Sequence, residues 1–167
     1  MYKLFKILKE VKLIFIAHRG NVGGPSDLEN KPEHILKALQ LGFHAEVDVW
    51  FLNEKLYLGH DLPQYQVDHE FLRNIMEKTF IHCKNVDALD YFSSLEDKFN
   101  FFWHDSDCYT LTSMGQIWTY PGKELKRECI AVMPEIKMFE NIFECSGICT
   151  DFPEKYRRNF SLVKEAK

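Results

Sequence analysis

Short apolar runs alternate with amphipathic helical patterns from residue 13 almost to the end of the sequence, and this alternation constrains the fold most. The apolar runs are typical of buried strands and comprise Leu13–Ala17, His44–Phe51, Leu56–Gly59, Thr79–Cys83, Asn100–His104, Gln116–Thr119, Cys129–Met133 and Gly147–Thr150. The helical patterns between them are Lys31–Leu41, His69–Lys78, Val86–Leu95, Lys137–Phe143 and Glu154–Phe160. Strands that alternate with helices indicate βα units and a mostly parallel sheet, so we predict an α/β fold.

Local residues support several of these elements. Pro32 suits the first turn of the first helix, and Gly42 suits the position just after its end. Asn85 is a suitable N-cap for the third helix. Asn53 and Glu54 predict a turn that returns His60 toward the region of Glu46 and Asp48.

Length and composition favour one globular domain. The 167 residues are 46% hydrophobic and 28% charged, which is enough for a single core. We expect a leader at residues 1–12 and a single domain at 13–167. A net charge of −4 argues against broad nucleic-acid binding.

The first residues carry a lysine at every third position from Lys3 to Lys12. These lysines interrupt any apolar run, so we expect neither a signal peptide nor a transmembrane segment. A solvated leader is the favoured interpretation, and a short basic helix on a membrane surface is the alternative. Five cysteines without a CxxC spacing predict reduced thiols and a cytoplasmic location.

Many predicted strands end in polar residues that can carry chemistry. The carboxyl ends of parallel strands usually build the functional site, so these residues are expected around one rim. They are His18, Glu46, Asp48, His82, Lys84, His104, Glu135 and Asp151.

The strand His44–Phe51 places Glu46 and Asp48 on the same face, because side chains alternate along a strand. Two neighbouring carboxylates repel each other unless something neutralises them, and a hard divalent cation is the natural partner. Two solvated acids on an edge strand would give the same pattern. The pair alone leaves both interpretations open.

The ordered segments AHRG at 17–20, LEN at 28–30, EVDV at 46–49 and GHD at 59–61 resemble the glycerophosphodiester phosphodiesterase family. They also resemble the wider group of phosphatidylinositol-phospholipase-C-like phosphodiesterases. Further along, IHCKN, IWTYP and GICTDFP are similar to the later strands of that family. The resemblance implies a TIM-type (βα) barrel. The chain is shorter than the ~250 residues of a full eight-fold barrel, so we expect a compact or reduced barrel with short helices.

The resemblance also implies roles for individual residues. His18 and His60 correspond to the general acid/base pair. Arg19 and Lys84 correspond to phosphate-binding cations, and Glu29 would sit beside them. The nucleophile that attacks phosphorus is either water or a neighbouring hydroxyl of the substrate, which would form a cyclic phosphate first.

The implied metal ligands are Glu46 and Asp48, with His82 in the place of a third carboxylate. The expected ion is Mg²⁺ or Ca²⁺, and the imidazole makes Mn²⁺ possible. His82 could instead contact only the substrate. Trp118 in IWTYP matches a late tryptophan strand and is a candidate for substrate contact, with core packing as its alternative.

The leading hypothesis is therefore metal-dependent cleavage of a small or lipid-derived phosphodiester such as a glycerophosphodiester. A second hypothesis is a non-catalytic barrel that binds a phosphorylated ligand or protein partner. A zinc-binding domain using His82, Cys83, His104 and Cys108 is a weaker third, because their spacings match no zinc module. The stretch Asp61–Lys78 is too short for an inserted cap, so we expect an open site.

Overall fold

The computed structural model describes residues 13–165, so the predicted leader at residues 1–12 lies outside the described residues. The strands are β1 Ile14–Ala17, β2 His44–Leu52, β3 Lys55–Leu58, β4 Tyr65–Val67, β5 Thr79–Cys83, β6 Phe101–Phe102, β7 Tyr109–Leu111, β8 Ile117–Thr119, β9 Cys129–Val132 and β10 Gly147–Thr150. The α-helices are α1 Pro32–Gln40, α2 His69–Ile75, α3 Val86–Ser94 and α4 Pro153–Glu165. Within this range, no helix is both long and apolar enough to cross a membrane.

Seven strands form a curled sheet through parallel pairs, in the order β6-β5-β2-β1-β10-β9-β8. Strands β3 and β4 extend antiparallel from the second half of β2, and β7 pairs antiparallel with β8. Among the described strands β6 and β8 do not pair, so strand hydrogen bonds do not close the ring. The predicted α/β class is confirmed, and the reduced barrel takes the form of a partial TIM-like barrel.

The two faces of β2 separate the helix layer from the barrel interior. Ala45, Val47 and Val49 pack in one buried apolar cluster with residues of α1, α2 and α3. Glu46 and Asp48 point to the other face and are buried as well. The alternation read from the sequence therefore places the two carboxylates inside the barrel.

Aromatic packing fills the interior where the strand pairing is open. The Trp118 ring lies 4.9 Å from that of Phe102 and 5.1 Å from that of Phe80, so β8 contacts β5 and β6 through side chains. At the open edge, the backbone N–H of Ser113 donates to the carbonyl of Phe101 at 2.8 Å. This core supports the strand ends above it without a complete hydrogen-bonded ring.

The local predictions about caps and turns are confirmed. Pro32 begins α1, and the Asn85 side chain accepts the Ala88 N–H at the start of α3. Asn53 and Glu54 both have positive φ, of 49° and 60°, as a two-residue hairpin turn of type I′ requires.

Three features differ from the sequence-based prediction. Residues 137–143 form no α-helix and contain only the start of a short 3₁₀ turn, because Asn141 adopts the left-handed conformation, with φ of 54°, which interrupts a helix there. The strands β4 and β7 were not predicted, since each has three residues at a sheet edge. The last helix extends beyond Phe160 to Glu165.

All five cysteines lie within the described residues and are unpaired. Four of them are buried, and burial raises the pKa of Cys83 to about 12 and that of Cys145 to about 11. Thiols with such pKa values are weakly nucleophilic at neutral pH. These cysteines therefore act as small core residues.

Candidate functional site

The carboxyl ends of the strands surround a cavity of about 440 Å³. Seven of its lining side chains carry ionisable groups predicted from the sequence to lie at the rim or the site: His18, Arg19, Glu46, His60, His82, Lys84 and His104. His104, Asp105 and Tyr120 form another part of the wall, beside Met133 and Ile136. The structure thus brings the two histidines, the two cations and part of the predicted metal cluster to one space.

Glu46, Asp48 and His82 form a compact group whose candidate ligand atoms all lie within 4.8 Å of one another. The parallel register of β2 and β5 pairs Asp48 with His82, which explains this proximity. His82 Nδ1 lies 2.9 Å from Asp48 Oδ1 and 3.7 Å from Glu46 Oε1. The ring of His82 stacks on Phe102, so its orientation is fixed by packing.

Two observations test whether these residues suit a cation. His82 Nε2 lies 3.3 Å from the His104 carbonyl oxygen, which only accepts, so Nε2 carries a hydrogen. Without an ion, Nδ1 faces the carboxylate of Asp48 at 2.9 Å; with an ion bound, a neutral ring would offer the Nδ1 lone pair to it. Asp48 Oδ1 is buried and accepts no well-aligned hydrogen bond from the described residues, although His82 Nδ1 and Lys84 Nζ lie 2.9 and 3.6 Å away. Two carboxylate oxygens and one imidazole nitrogen fit a divalent ion such as Mg²⁺, Ca²⁺ or Mn²⁺.

The two buried carboxylates have opposite electrostatic surroundings. Burial and the neighbouring charge of Asp48 raise the pKa of Glu46 above its ordinary value. Burial also acts to raise the pKa of Asp48, but His82, Arg19 and Lys84 outweigh it and hold that pKa well below its ordinary range. Asp48 is therefore the more readily ionised member of the pair, and Glu46 is the less well compensated one.

Asn30 holds Asp48 from a position that the sequence did not single out. Its amide donates to Asp48 Oδ2 at 2.8 Å, and its carbonyl accepts the Asp48 backbone N–H at 2.9 Å. Asn30 adopts the left-handed conformation, with φ of 61°, that asparagine tolerates well. Its place in the LEN segment was the only sequence indication of this role.

Arg19 is oriented by surrounding carboxylates. Its Nη1 donates to Glu29 Oε2 at 2.9 Å, its Nε lies 3.2 Å from Asp48 Oδ2, and its backbone N–H donates to Glu46 Oε2 at 3.1 Å. The buried Asn21, also not identified from the sequence, donates to Glu29 Oε1 at 2.8 Å. Glu29 therefore lies behind the cavity and fixes Arg19, while the guanidinium itself lines the cavity.

His18 forms a dyad with Asp151. Its Nδ1 donates to Asp151 Oδ1 at 2.8 Å across 133 residues of sequence, because β1 and β10 pair directly. Burial alone would lower the pKa of His18, but the Asp151 hydrogen bond and the charge of Glu46 raise it above its ordinary value. Since Nδ1 is bonded to Asp151, Nε2 is the nitrogen available for proton exchange.

His60 reaches the cavity from the hairpin that follows β2. Its Nδ1 lies 2.7 Å from Asp61 Oδ1, and its side chain is 36% exposed. Burial lowers the pKa of His60, and the positive charges of Arg19 and Lys84 lower it further, against the opposing effect of Asp48. Its imidazole is therefore mostly neutral near pH 7, whereas the surroundings of His18 favour the protonated ring.

Gly59 positions His60 through its backbone. The Gly59 N–H donates to the Asp48 carbonyl at 3.2 Å, and the Gly59 carbonyl accepts the Trp50 indole N–H at 2.6 Å. A Cβ added at Gly59 would lie 2.1 Å from the Leu62 carbonyl oxygen, and the φ of +146° disfavours a side chain there. No other residue type fits this approach without moving the chain.

Gly59→Ala is therefore expected to lower the free energy of unfolding by about 1–3 kcal/mol or more and to displace His60. Gly23→Ala is the matched control, because a Cβ there would meet nothing within 4 Å. Denaturant unfolding of the two variants provides the measurement. Equal stability of both variants would contradict the proposed close approach at Gly59.

The remaining predicted residues have different positions. Lys84 Nζ lies in the cavity, 3.6 Å from Asp48 Oδ1. Trp118 is 2% exposed, so it is a floor residue of the aromatic core with little surface to offer a substrate. His104 stacks on Tyr120 at 3.7 Å between ring centres, and the pair forms one side of the cavity.

Comparisons with known proteins support the fold. No protein-family model matches the sequence, and no curated protein matches it. The crystal structure of a glycerophosphodiester phosphodiesterase from Parabacteroides distasonis ATCC 8503 superposes with a TM-score of 0.50 and 12% sequence identity. The match covers 95% of this chain and 100% of the other. At this identity the likeness supports the architecture alone, a partial TIM-like barrel.

Proposed function

We propose that this protein is a divalent-metal-dependent phosphodiesterase. One observation carries the proposal: His18 and His60 line the same cavity as Arg19, Lys84 and the Glu46–His82 part of the candidate metal cluster. Cleavage of a phosphodiester needs a proton acceptor, a proton donor and positive charge around phosphorus, and this cavity contains residues for each task. The solved structure with the same architecture is described as a glycerophosphodiester phosphodiesterase, which also supports the proposal.

The cations of the site stabilise the phosphoryl oxygens. Arg19 offers the N–H groups that Glu29 does not occupy, and Lys84 adds a point charge. Glu46, Asp48 and His82 would hold the metal ion, which when bound offsets negative charge that develops on the phosphoryl group. Asn30, Asn21 and Glu29 keep these groups in place through the hydrogen bonds described above.

The two histidines divide the proton transfers. His18, whose pKa is raised and whose Nδ1 is bonded to Asp151, is the acid that donates a proton to the leaving alkoxide. His60, whose pKa is lowered, is the neutral base that accepts the proton of the nucleophile. Opposite shifts of two titratable groups in one site are typical of such an acid and base.

Hydrolysis of a bis-aryl phosphodiester tests the proposal directly. The purified protein is treated with chelator and then assayed with Mg²⁺, Ca²⁺ or Mn²⁺. Turnover that depends on the added ion is the expected result. Absence of turnover with every ion, in protein shown to be folded, would contradict the enzymatic proposal.

His82→Glu separates a metal ligand from a substrate contact at this position. A third carboxylate adds negative charge and a harder donor, so metal preference should move from Mn²⁺ toward Ca²⁺ or Mg²⁺. Glutamate cannot donate to the His104 carbonyl as His82 Nε2 does, so some loss of turnover with every ion is expected as well. Metal titrations followed by calorimetry provide the measurement, and an unchanged preference would exclude His82 as a ligand.

A non-catalytic phosphate-binding barrel is the second candidate, and one observation favours it. Asp48 already has Arg19, His82 and Lys84 within 3.6 Å, so its charge is compensated without any ion. Such a site binds a phosphorylated ligand through Arg19 and Lys84. Tight binding of a phosphomonoester together with no turnover of any diester would support this candidate.

The chain between His60 and β5 indicates broad substrate tolerance. Residues 61–78 are occupied by β4, α2 and a short 3₁₀ turn, so they form no separate cap. An open site gains little discrimination from remote contacts. We expect less than about a thousandfold spread in kcat/KM, about 4 kcal/mol, across a panel of glycerophosphodiesters and lysophospholipids. A larger preference for one head group would show that another element closes the cavity.

We also propose a cytoplasmic location and a small-molecule or lipid-derived substrate, with no nucleic-acid partner. The five unpaired cysteines support the location, and a net charge of −4 argues against nucleic acid.

A further inference from the structure

Glu135 lies outside the cavity but is bonded to the segment that carries Asp151. Its carboxylate accepts the Thr150 hydroxyl, with Oγ1 at 2.9 and 3.0 Å from its two oxygens. Its Oε1 also accepts the backbone N–H of Asp151 at 2.9 Å. The contact chain therefore runs from Glu135 through Asp151 to His18.

An unusual backbone conformation brings Glu135 to this place. Met133 has a φ of 46°, in the left-handed region, and it precedes Pro134, where an extended conformation is normally favoured. Its N–H donates to the Cys149 carbonyl at 2.8 Å, and its carbonyl accepts the Ile136 N–H at 3.0 Å. These bonds turn the chain after β9 back over the end of β10. Strain of this kind is concentrated at functional sites in proteins.

Asp151 is held from two directions. From the segment after β1, Asn21 Nδ2 donates to Asp151 Oδ1 at 2.9 Å, and the Gly24 N–H donates to the Asp151 carbonyl at 2.8 Å. From the segment after β9, Glu135 accepts the Asp151 N–H. Loss of either side would let the carboxylate move relative to the His18 ring.

We propose that Glu135 is a positioning residue that orients His18 through Asp151. This inference rests on the proposed acid/base role of His18. The competing explanation is purely structural: a carboxylate beside the start of α4 interacts favourably with the helix dipole and stabilises the fold. The two explanations differ in whether the effect of Glu135 depends on Asp151.

The test combines kinetics with a double-mutant cycle. Glu135→Ala should lower kcat about 10- to 100-fold with little change in KM, because a small misplacement of a catalytic group is costly. Glu135→Gln retains an acceptor for the Asp151 N–H and should recover most of the activity. In an Asp151→Asn background, Glu135→Ala should change kcat less than about twofold further. A full, additive loss in that background would overturn the proposal.

A second measurement does not depend on turnover. The proton on His18 Nδ1 is bonded to Asp151 and should give a low-field NMR resonance, assigned through its loss in His18→Ala. Glu135→Ala should shift or broaden this resonance, whereas Glu140→Ala, an exposed carboxylate of the same β9–β10 connection, should not. An unmoved resonance in folded Glu135→Ala would also overturn the proposal. If that variant does not fold, Glu135→Asp, which keeps the charge but is one methylene shorter, replaces it with the same expected shift.

The resonance distinguishes failure of the positioning role from failure of the proposed function. If no phosphodiester is cleaved but the resonance depends on Glu135, the phosphodiesterase proposal fails and the Glu135–Asp151–His18 coupling stands. If diesters are cleaved but the resonance is independent of Glu135, the positioning role of Glu135 fails and the phosphodiesterase proposal stands.

Discussion

His18→Ala and His60→Ala are each expected to lower turnover by a factor on the order of 10²–10⁴, the usual scale of acid/base catalysis. The double variant should lose far less than the product of the two factors, because the two groups act as a unit. A substrate with a very good leaving group needs little help from an acid. It should therefore restore much of the activity of His18→Ala but not that of His60→Ala.

His69→Ala is the control for the histidine variants. His69 is bonded to Tyr91 and Asp97 between helix α2 and the region of α3, away from the residues that line the cavity. The His69→Ala variant should have a lower free energy of unfolding, but its activity should not show the leaving-group dependence expected for His18→Ala. Rescue of His60→Ala in place of His18→Ala would reverse the assignment of acid and base. Rescue of neither would refute the division of roles.

The pairing of Glu46 with Asp48 was predictable because it depends on local geometry. The two-residue period of a strand decides which side chains share a face, and the structure has both on the inner face of β2. The turn at Asn53 and Glu54 is equally local, and it returns the chain so that His60 joins the same cavity. The functional roles of these residues remain predictions.

Contacts between distant segments were not predictable from the sequence alone. The His18–Asp151 bond requires that β1 and β10 pair, and the Asn30–Asp48 bonds require a left-handed turn. Around Lys137–Phe143, by contrast, the sequence pattern predicted a helix that the structure does not contain. The apolar residues of this segment suggested a helix, but the strained Met133 and the left-handed Asn141 turn the chain, and the apolar side chains Ile136 and Met138 remain exposed.

The carboxylate pair gives the second large effect, and the structure predicts opposite changes in stability for two similar substitutions. In chelator-treated protein, Asp48→Asn removes the ionised partner of Arg19, His82 and Lys84, so it should lower the free energy of unfolding by about 3–5 kcal/mol. Glu46→Gln removes the less well compensated of the two buried charges, so it should raise the free energy of unfolding.

The pH dependence of these two effects follows from the direction of each pKa shift. The pKa of Asp48 is lower in the folded than in the unfolded protein, so its contribution is complete above the unfolded value of about 4 and is lost as the pH falls further. The pKa of Glu46 is raised, so its penalty develops as the pH rises above about 4. The differences in free energy of unfolding between the wild type and the Asp48→Asn and Glu46→Gln variants should therefore shrink below about pH 4. Urea unfolding between pH 3 and 7 measures them, with Glu144→Gln as an exposed control.

Addition of Mg²⁺, Ca²⁺ or Mn²⁺ should change how the stabilities of Asp48→Asn and Glu46→Gln compare with that of the wild type. An ion that binds only the folded protein stabilises it, and each variant has lost one of the three proposed ligands. Both variants should lose the metal-dependent stabilisation, and turnover should fall about 100-fold or more, since even residues behind a metal ligand contribute 10- to 100-fold. Wild-type turnover of either variant in chelator would exclude a catalytic ion at this site. The same stability gain from metal in Glu46→Gln as in the wild type would exclude Glu46 as a ligand.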